Sequence, residues 1–538
     1  MNMKNLPKAN ILERAIAAIS PSWALERHKN RVAMALSGGY TGASYRDNLV
    51  TWQPGTADAD GDTLRDLKEL RARTRDLVRN SAIAGGAIET QVSHVVGTGL
   101  TMQSRIDADY LGLDEDAAGE WQRNAEREFR LWAESTYADA FGQQNFYELQ
   151  DLAFRSRLES GDCFVILAGV QRAGWPYRLA LQVIEADRVC NENFKANSDN
   201  LVAGIERGQN GEAVAIYVTN KHPGSQFITK GLKWTRVAIR SDNGRLNVLH
   251  IMRKLRPGQT RGVPELAPII SLVKQLSRYS DAEVDAAVNS AAFAIFTKMD
   301  AEAFQDVFND DAQGAIIDNA KRWDGTLRTG AAINLMPGES IETAQMSRPN
   351  PNFEGFVRAV MVQIGMALNI PFEVLAKQFN SSYSASRAAL LDAWRTFRIR
   401  REFLASKLCQ PVYEAWLTEA VASGRITAPG FFADAATSKA WCGTTWSGDG
   451  PGSIDPLKEA SAAEKRMNIG LSTLAEEINA YDGGDWPSKH KQQVRERAER
   501  EEGGLVGPVV PPMANGMPAT PPEEPGEGED TPDTPEAE

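Results

Sequence analysis

The stretch from Leu255 to Phe293 constrains this chain more than any other. It reads LRPGQTRGVPELAPIISLVKQLSRYSDAEVDAAVNSAAF. Its first third is dense with turn formers, Arg256-Pro257-Gly258 and Gly262-Val263-Pro264, so no regular element runs through it. Pro268 then falls in the first turn of a helix, where a missing N–H costs little. Ile269, Val273, Leu276, Ser280, Val284, Ala287 and Ala291 recur every three or four residues and form one narrow stripe. Beyond Tyr279 the stripe shrinks to small residues, while Asp281, Glu283 and Asp285 crowd the other faces. A narrow, small-residue stripe suits close packing against a neighbouring helix; an ordinary amphipathic core helix has the same periodicity.

The chain has 538 residues, enough for several domains. Hydrophobic residues at 42% and charged residues at 24% are those of a soluble globular protein, with no window long and apolar enough to span a bilayer. Ile11 to Ile19 carries charges within its apolar run, which spoils a signal-peptide core and reads instead as a small amphipathic helix. Cys163, Cys190, Cys409 and Cys442 are far apart and form no CxxC pair, which argues against a zinc site or a disulfide framework and for buried thiols.

The net charge of −12 is carried by one end. Residues 501–538 hold ten carboxylates, nine prolines and no Lys, Arg or aromatic residue. Without them 59 basic residues face 61 acidic ones, a net of −2, so the body does not advertise the basic surface of a tight DNA binder. The tail cannot offset its ordering entropy and is expected to be disordered and solvated.

Along the chain, residues 1–61 read as a Gly- and Ser-punctuated arm with little core-forming power. From Asp62 to Val96 the pattern is helical, with Leu64, Leu67, Leu70 and Leu77 inward. Its arginines, Arg65, Arg71, Arg73, Arg75 and Arg79, alternate with acids, so a solvated salt-bridged face or a subunit contact is expected rather than nucleic-acid binding. Strand signals fill 162–167, 179–184, 213–218 and 247–251, each bounded by Gly, Asn or Pro turns. The fold class is therefore α+β. Residues 352–368 return to a helix. A break from Asn369 to Ser384 precedes a long helical pattern over 385–423 with Leu390, Trp394, Phe397, Leu404 and Leu408 on its apolar face. Its arginines (Arg387, Arg395, Arg398, Arg400, Arg401) suit packing and inter-subunit ion pairs, since the guanidinium fork binds a carboxylate at two points.

Catalytic constellations are missing from the sequence. It has no GxxxxGK[ST] phosphate loop, no GxSxG elbow and no HExxH. The five histidines are scattered; His222, in Lys221-His222-Pro223-Gly224, reads as a turn residue rather than a general base. Ser381-Ser382-Tyr383-Ser384 reads as a loop whose hydroxyls cap the following helix rather than as a nucleophile. No cofactor and no metal are expected.

Several word-like segments, taken together, resemble the portal proteins of lambda-like tailed bacteriophages. They are RPGQ-x-RGVP-x-LAP with Tyr279-x-Asp281-Ala282-Glu283; residues 75–80, 95–99, 181–188, 204–206, 222–224 and 337–339; and 370–373 running into 381–387. They occur in the family's order over roughly residues 60–480. One local departure is Ser382, where the common pattern has Asn before Tyr383.

The resemblance implies a portal subunit with a wing, a two-helix stem, a clip inserted between the stem helices, and a helical crown. On this chain that gives an arm at 1–61, a wing at 62–262 and a first stem helix at 263–293. The clip follows at 294–351, the second stem helix at 352–371 and a tunnel loop at 372–384. A long wing helix at 385–423, a crown at 424–500 and the tail at 501–538 complete it. The implied function is non-enzymatic: a ring of twelve subunits at one capsid vertex, through which double-stranded DNA passes without sequence specificity. The implied partners are the large terminase subunit, head-completion and tail-connector proteins, and major capsid and scaffolding proteins. Localisation would be the host cytoplasm during assembly, then the virion. Stem packing falls to Ile269, Val273, Leu276, Val284, Ala287 and Ala291, and DNA contact in the tunnel to Lys377, Asn380, Ser381 and Ser382. Rival readings are another connector or minor capsid protein and, less favoured for want of a phosphate loop or clustered carboxylates, a DNA-processing enzyme.

Overall fold

The computed structural model describes residues 11–36, 51–52, 54–227, 231–242, 244–291, 295–297, 332–334, 352–379, 382–452, 455–482, 484 and 486–505. Most of the expected clip (294–351), nearly all of the tail, and Asn380 and Ser381 lie outside them. Two short helices, α1 (Ile11–Ile19) and α2 (Pro21–Leu36), pack on each other. The first is the amphipathic helix expected there; the second has no counterpart in the sequence reading. Helix α3 (Ala59–Leu64) starts inside the expected arm and is anchored by buried Asp60, which accepts from Thr260 N at 2.7 Å and Thr260 Oγ1 at 2.6 Å.

Helices α4 (Leu67–Asn80), α5 (Ala82–Val95) and α8 (Phe146–Ser160) pack together beside an antiparallel sheet. That sheet has β2 (Asp162–Gly169) between β3 (Leu179–Ile184) and β8 (Val248–Met252). Alternation along β2 places Cys163, Val165 and Leu167 in the large core and Phe164 in a second, smaller one. A strand buried on both faces is apolar at every position, which is why the sequence there is a continuous hydrophobic run. The second core is closed by an antiparallel sheet of β4 (Leu201–Val202), β5 (Ile205–Arg207), β6 (Ala213–Thr219) and β7 (Trp234–Ala238). The four strands read from the sequence all form; β4, β5 and β7 are short additions.

Local chemistry sets the boundaries. Asn145 and Glu148 form a reciprocal capping box at the start of α8, and Gly161 at φ 87° ends it. Helix α7 (Glu115–Ala133) is capped by Asp114, whose carboxylate accepts from Ala117 N at 2.7 Å. It delivers Phe129 and Trp132 to an aromatic cluster with Phe146, Tyr413, Trp416 and Trp446.

The expected helix over 385–423 runs as α12 (Tyr383–Leu404), a π turn at Ala405–Cys409, and α13 (Gln410–Ala422). The π turn sits just before Pro411, which has no N–H and whose ring would crowd the carbonyl four residues back. The following residues do not stand apart as the sequence reading had them. Ile426, Phe431 and Trp441, the last on α14 (Ala435–Trp441), are buried in the large core. β11 (Thr444–Ser447) pairs antiparallel with β1 (Thr101–Ser104), Thr101 opposite Ser447. Only α15 (Pro456–Asn468), α16 (Leu474–Asp482) and α17 (Trp486–Glu502) form an outer helical group. Periodicity cannot register a pairing between segments so far apart in sequence.

Candidate functional site

Helix α9 (Ile270–Ala291) carries the stripe read from the sequence, and its two halves differ. Ile269, in the 3-10 turn just before the helix, is 4% exposed, Val273 0% and Leu276 1%, all in the large core. Further along, Val284 is 61% exposed and Val288 64%, and Ala287 is also exposed. The side chain of Ala291 lies outside the described residues. Helix α10 (Phe353–Leu368) packs against α9, with Tyr279 stacked on Phe353 at 5.6 Å and edge-on to Phe356 at 4.9 Å. Val360, Met361, Ile364 and Leu368 of α10 are buried, whereas Phe356 is 49% and Met366 77% exposed. The two helices are thus rooted side by side in the core. Beyond Tyr279, α9 carries apolar side chains that the single chain leaves bare.

The RPGQ-x-RGVP segment fastens that root. Arg261, 2% exposed, donates to Asp162 from Nε at 2.6 Å and Nη2 at 3.2 Å, and to the carbonyls of Ala186, Val189 and Ala203. Arg71 reaches the same carboxylate at 2.6 Å, and His250 Nε2 lies 3.1 Å from it. Burial alone would raise the Asp162 pKa. Arg261 and Arg71, with the His250 hydrogen bond, outweigh it and hold the group well below the usual carboxylate range. Gly262 presses on Gly161 so closely that a Cβ on either would run into the other's backbone. Glu265 accepts from Arg157 at 3.0 Å and Arg400 at 2.8 Å, tying α8 and α12 to the turn before α9.

These contacts revise two expectations about the arginines. Arg71 and Arg75 bind Asp162, Asp187 and Glu185 within the chain, joining α4 to the sheet instead of forming a solvated face. Arg400 and Arg401 are likewise held inside; Arg401 donates to the carbonyls of His94, Val95 and Asp449. Arg387 approaches Glu459 at 3.7 Å, also within the chain. Arg395 and Arg398 are exposed. Sequence reasoning missed Asp162 and Arg261 because a buried charge and a surface charge are the same letter.

The break between α10 and α12 is partly ordered by local bonds. α10 ends at Asn369, left-handed at φ 57°, whose Nδ2 donates to Thr396 Oγ1 at 2.6 Å. Gly365 admits the Ile370 carbonyl where a Cβ would clash. Then α11 (Phe372–Leu375) buries Val374 and Leu375, so the first residues of the expected 372–384 loop are helical and anchored. Lys377 is exposed at φ 53°, Phe379 is 46% exposed, and Ser382 Oγ caps α12 by accepting from Ala385 N at 3.4 Å. The loop's hydroxyl cap is thus Ser382. Burial, then the charges of Lys377 and Arg401, lower the pKa of His94 on α5.

Among the described residues one group could be taken for a metal site: Glu185, Asp187 and His222. His222 Nδ1 accepts from Gly224 N at 2.9 Å, so the neutral ring carries its proton on Nε2, the atom facing Asp187 at 3.4 Å. Both carboxylates also pair with Arg75. That arrangement is a turn and an ion-pair network; a cation there would have to displace a proton and face a guanidinium.

The sequence of this α+β chain matches a defined class. The family described as phage portal protein, lambda family, matches residues 46–401, and the chain belongs to that family. It is 26% identical over 487 residues to portal protein B of Escherichia phage lambda, covering 87% of this chain and 90% of that protein. It is 26% identical over 493 residues to the portal protein of Escherichia phage N15, covering 87% and 91%. Among solved structures, the chain aligns with one from the neck of a native GTA particle computed with C12 symmetry, at 12% identity and a TM-score of 0.39, covering 77% of this chain and 92% of that one.

Proposed function

We propose that this chain is the ring subunit of a portal: twelve copies close around a bore at one capsid vertex, through which double-stranded DNA enters and leaves. The observation that carries the reading is α9, whose apolar stripe begins in the subunit core and ends bare at Val284 and Val288. Identical subunits in a closed ring meet head to tail, so each copy can cover the bare half of its neighbour's helix. In this assignment 62–262 with α12 and α13 is the wing, α9 and α10 are the stem, and 294–351 is the clip. Residues 376–382 form the tunnel loop and α15–α17 the crown; residues 424–447, packed in the large core, belong with the body.

Lys377 gives each subunit one exposed cation on the tunnel loop. Twelve such charges form a weak girdle, which contacts phosphates without sequence information and without holding them. The subunit catalyses nothing itself; a large terminase subunit supplies the work, docked on the clip, where head-completion and tail-connector proteins bind later. Capsid and scaffolding proteins surround the ring during assembly, and its final place is the virion. Native mass spectrometry of the purified full chain tests the reading: closed multimers near twelve subunits, without nucleotide hydrolysis, are expected. Monomers or dimers at every salt concentration, or ATP turnover that co-purifies with the chain, would overturn it.

A further inference from the structure

A cleft of about 640 Å3 lies between β11, the middle of α12 and the outer helix α16. Its lining includes Trp394, Trp446, Arg105, Arg398 and Arg401. Arg401 is committed: its guanidinium donates to three carbonyls and lies over the Trp394 ring, 5.1 Å from the centroid. The other two cations are available. Arg398 is exposed, and among the described residues no carboxylate pairs with it; Arg105 is exposed and bonds only Gln103, at 3.3 Å. Two carboxylates also line the cleft. These are Glu402 and Glu476, the latter accepting from Thr473 N at 3.0 Å, so two counter-charges face three guanidinium groups. Opposite α12 the cleft is lined by the paired strands β1 and β11, through Gln103, Thr445, Trp446 and Ser447.

The occupant that fits is in this chain. Residues 506–538 hold eight carboxylates, no Lys or Arg and nine prolines, with four Pro-x-x-Pro spacings beginning at Pro508, Pro518, Pro522 and Pro532. Proline-rich segments are pre-set as extended polyproline helices, lose little entropy on binding, and seat their rings against tryptophan-lined grooves. Carboxylates beside the prolines suit free guanidinium groups. Reach is set by the 15 residues 506–520 that precede Pro521, which at about 3.1 Å each span on the order of 50 Å. The tail also starts close by in sequence, since α16 forms one wall and leads through α17 to Leu505.

We propose that Pro521-Pro522-Glu523-Glu524-Pro525 docks in this cleft, with prolines against Trp394 and Trp446 and the two carboxylates on Arg398 and Arg105. The rest of the tail stays solvated. So placed, it straps the outer helices to the body, either in its own subunit or across to the next. The proposal does not depend on the portal reading, because ring formation and tail docking are read separately.

The test uses the chain ending at Leu505 and a fluorescein-labelled synthetic peptide of residues 517–530, followed by anisotropy. Saturable binding is expected, at least tenfold weaker to the full chain, whose own tail occupies the cleft. Arg398→Glu, at an exposed position, should reduce binding at least tenfold with the fold intact by circular dichroism. A peptide with Pro521, Pro522 and Pro525 changed to Ala should lose affinity while keeping its charge. No saturable binding to the truncated chain would overturn the proposal. So would equal binding by Arg398→Glu, or equal binding of the proline-free peptide, which would reduce the contact to charge alone. Electron micrographs of the truncated chain report ring formation independently.

Discussion

Replacing Asp162 with Asn keeps the side chain's shape and removes the charge at the root of α9. Asp162 receives four donors besides the backbone: Arg71 at 2.6 Å, Arg261 at 2.6 and 3.2 Å, and His250 at 3.1 Å. Breaking a buried ion pair by removing one partner costs about 3–5 kcal/mol, because the other charge is left without compensation. Here two arginines lose a partner, but neither is stranded. Arg71 keeps Asp187 at 3.2 Å, and Arg261 keeps three carbonyls at 2.6–2.8 Å. The lower end, ~3 kcal/mol, is therefore expected. In a cooperative unit of about 150–250 residues that lowers Tm by roughly 6–12 °C. Differential scanning calorimetry at fixed concentration and several scan rates gives the measurement. A fall of less than about 2 °C would show that the hub is not what holds the stem root, and the argument would fail.

Two further outcomes follow. Thermal stability should decline in two stages on acidification. His250 and His94 are held neutral in the fold below their ordinary pKa, so stability falls as pH drops below about 6.5, where the unfolded chain takes up protons first. Asp162, Asp187 and Glu265 have depressed pKa values, so their contribution is complete above about pH 4.5 and is lost as pH falls further; a Tm that rises between pH 6.5 and 4 would contradict both assignments. Lys377→Glu should leave ring assembly intact and shorten or destabilise packaged DNA, measured by pulsed-field gels of particle contents. Lost rings would mean that the loop is a structural turn, and unaltered packaging would remove Lys377 from DNA contact.

How much of this was legible in the chain depended on range. The strands at 162–167, 179–184, 213–218 and 247–251 announced themselves because a doubly buried or half-buried strand has a local pattern between turns. The α9 stripe did so too, including the change at Tyr279 that the structure turns into a change of burial. β1 and β11 did not, since Thr101–Ser104 and Thr444–Ser447 are short and largely polar and acquire meaning only by pairing with each other. Nor did the Arg71–Asp162–Arg261 hub: its members lie on α4, β2 and the turn before α9, and nothing in a single sequence marks them as buried. The family resemblance singled out the segment around Arg261, and the structure supplies the physical reason for its residues.

The most direct test is a reconstruction of the purified full chain at side-chain resolution. The account expects a closed ring of twelve with an open bore, in which Val284, Ala287 and Val288 of α9 are buried against the adjacent subunit and Lys377 faces the bore. A closed ring in which these α9 residues remain solvent-exposed, or an assembly that does not close, would contradict it.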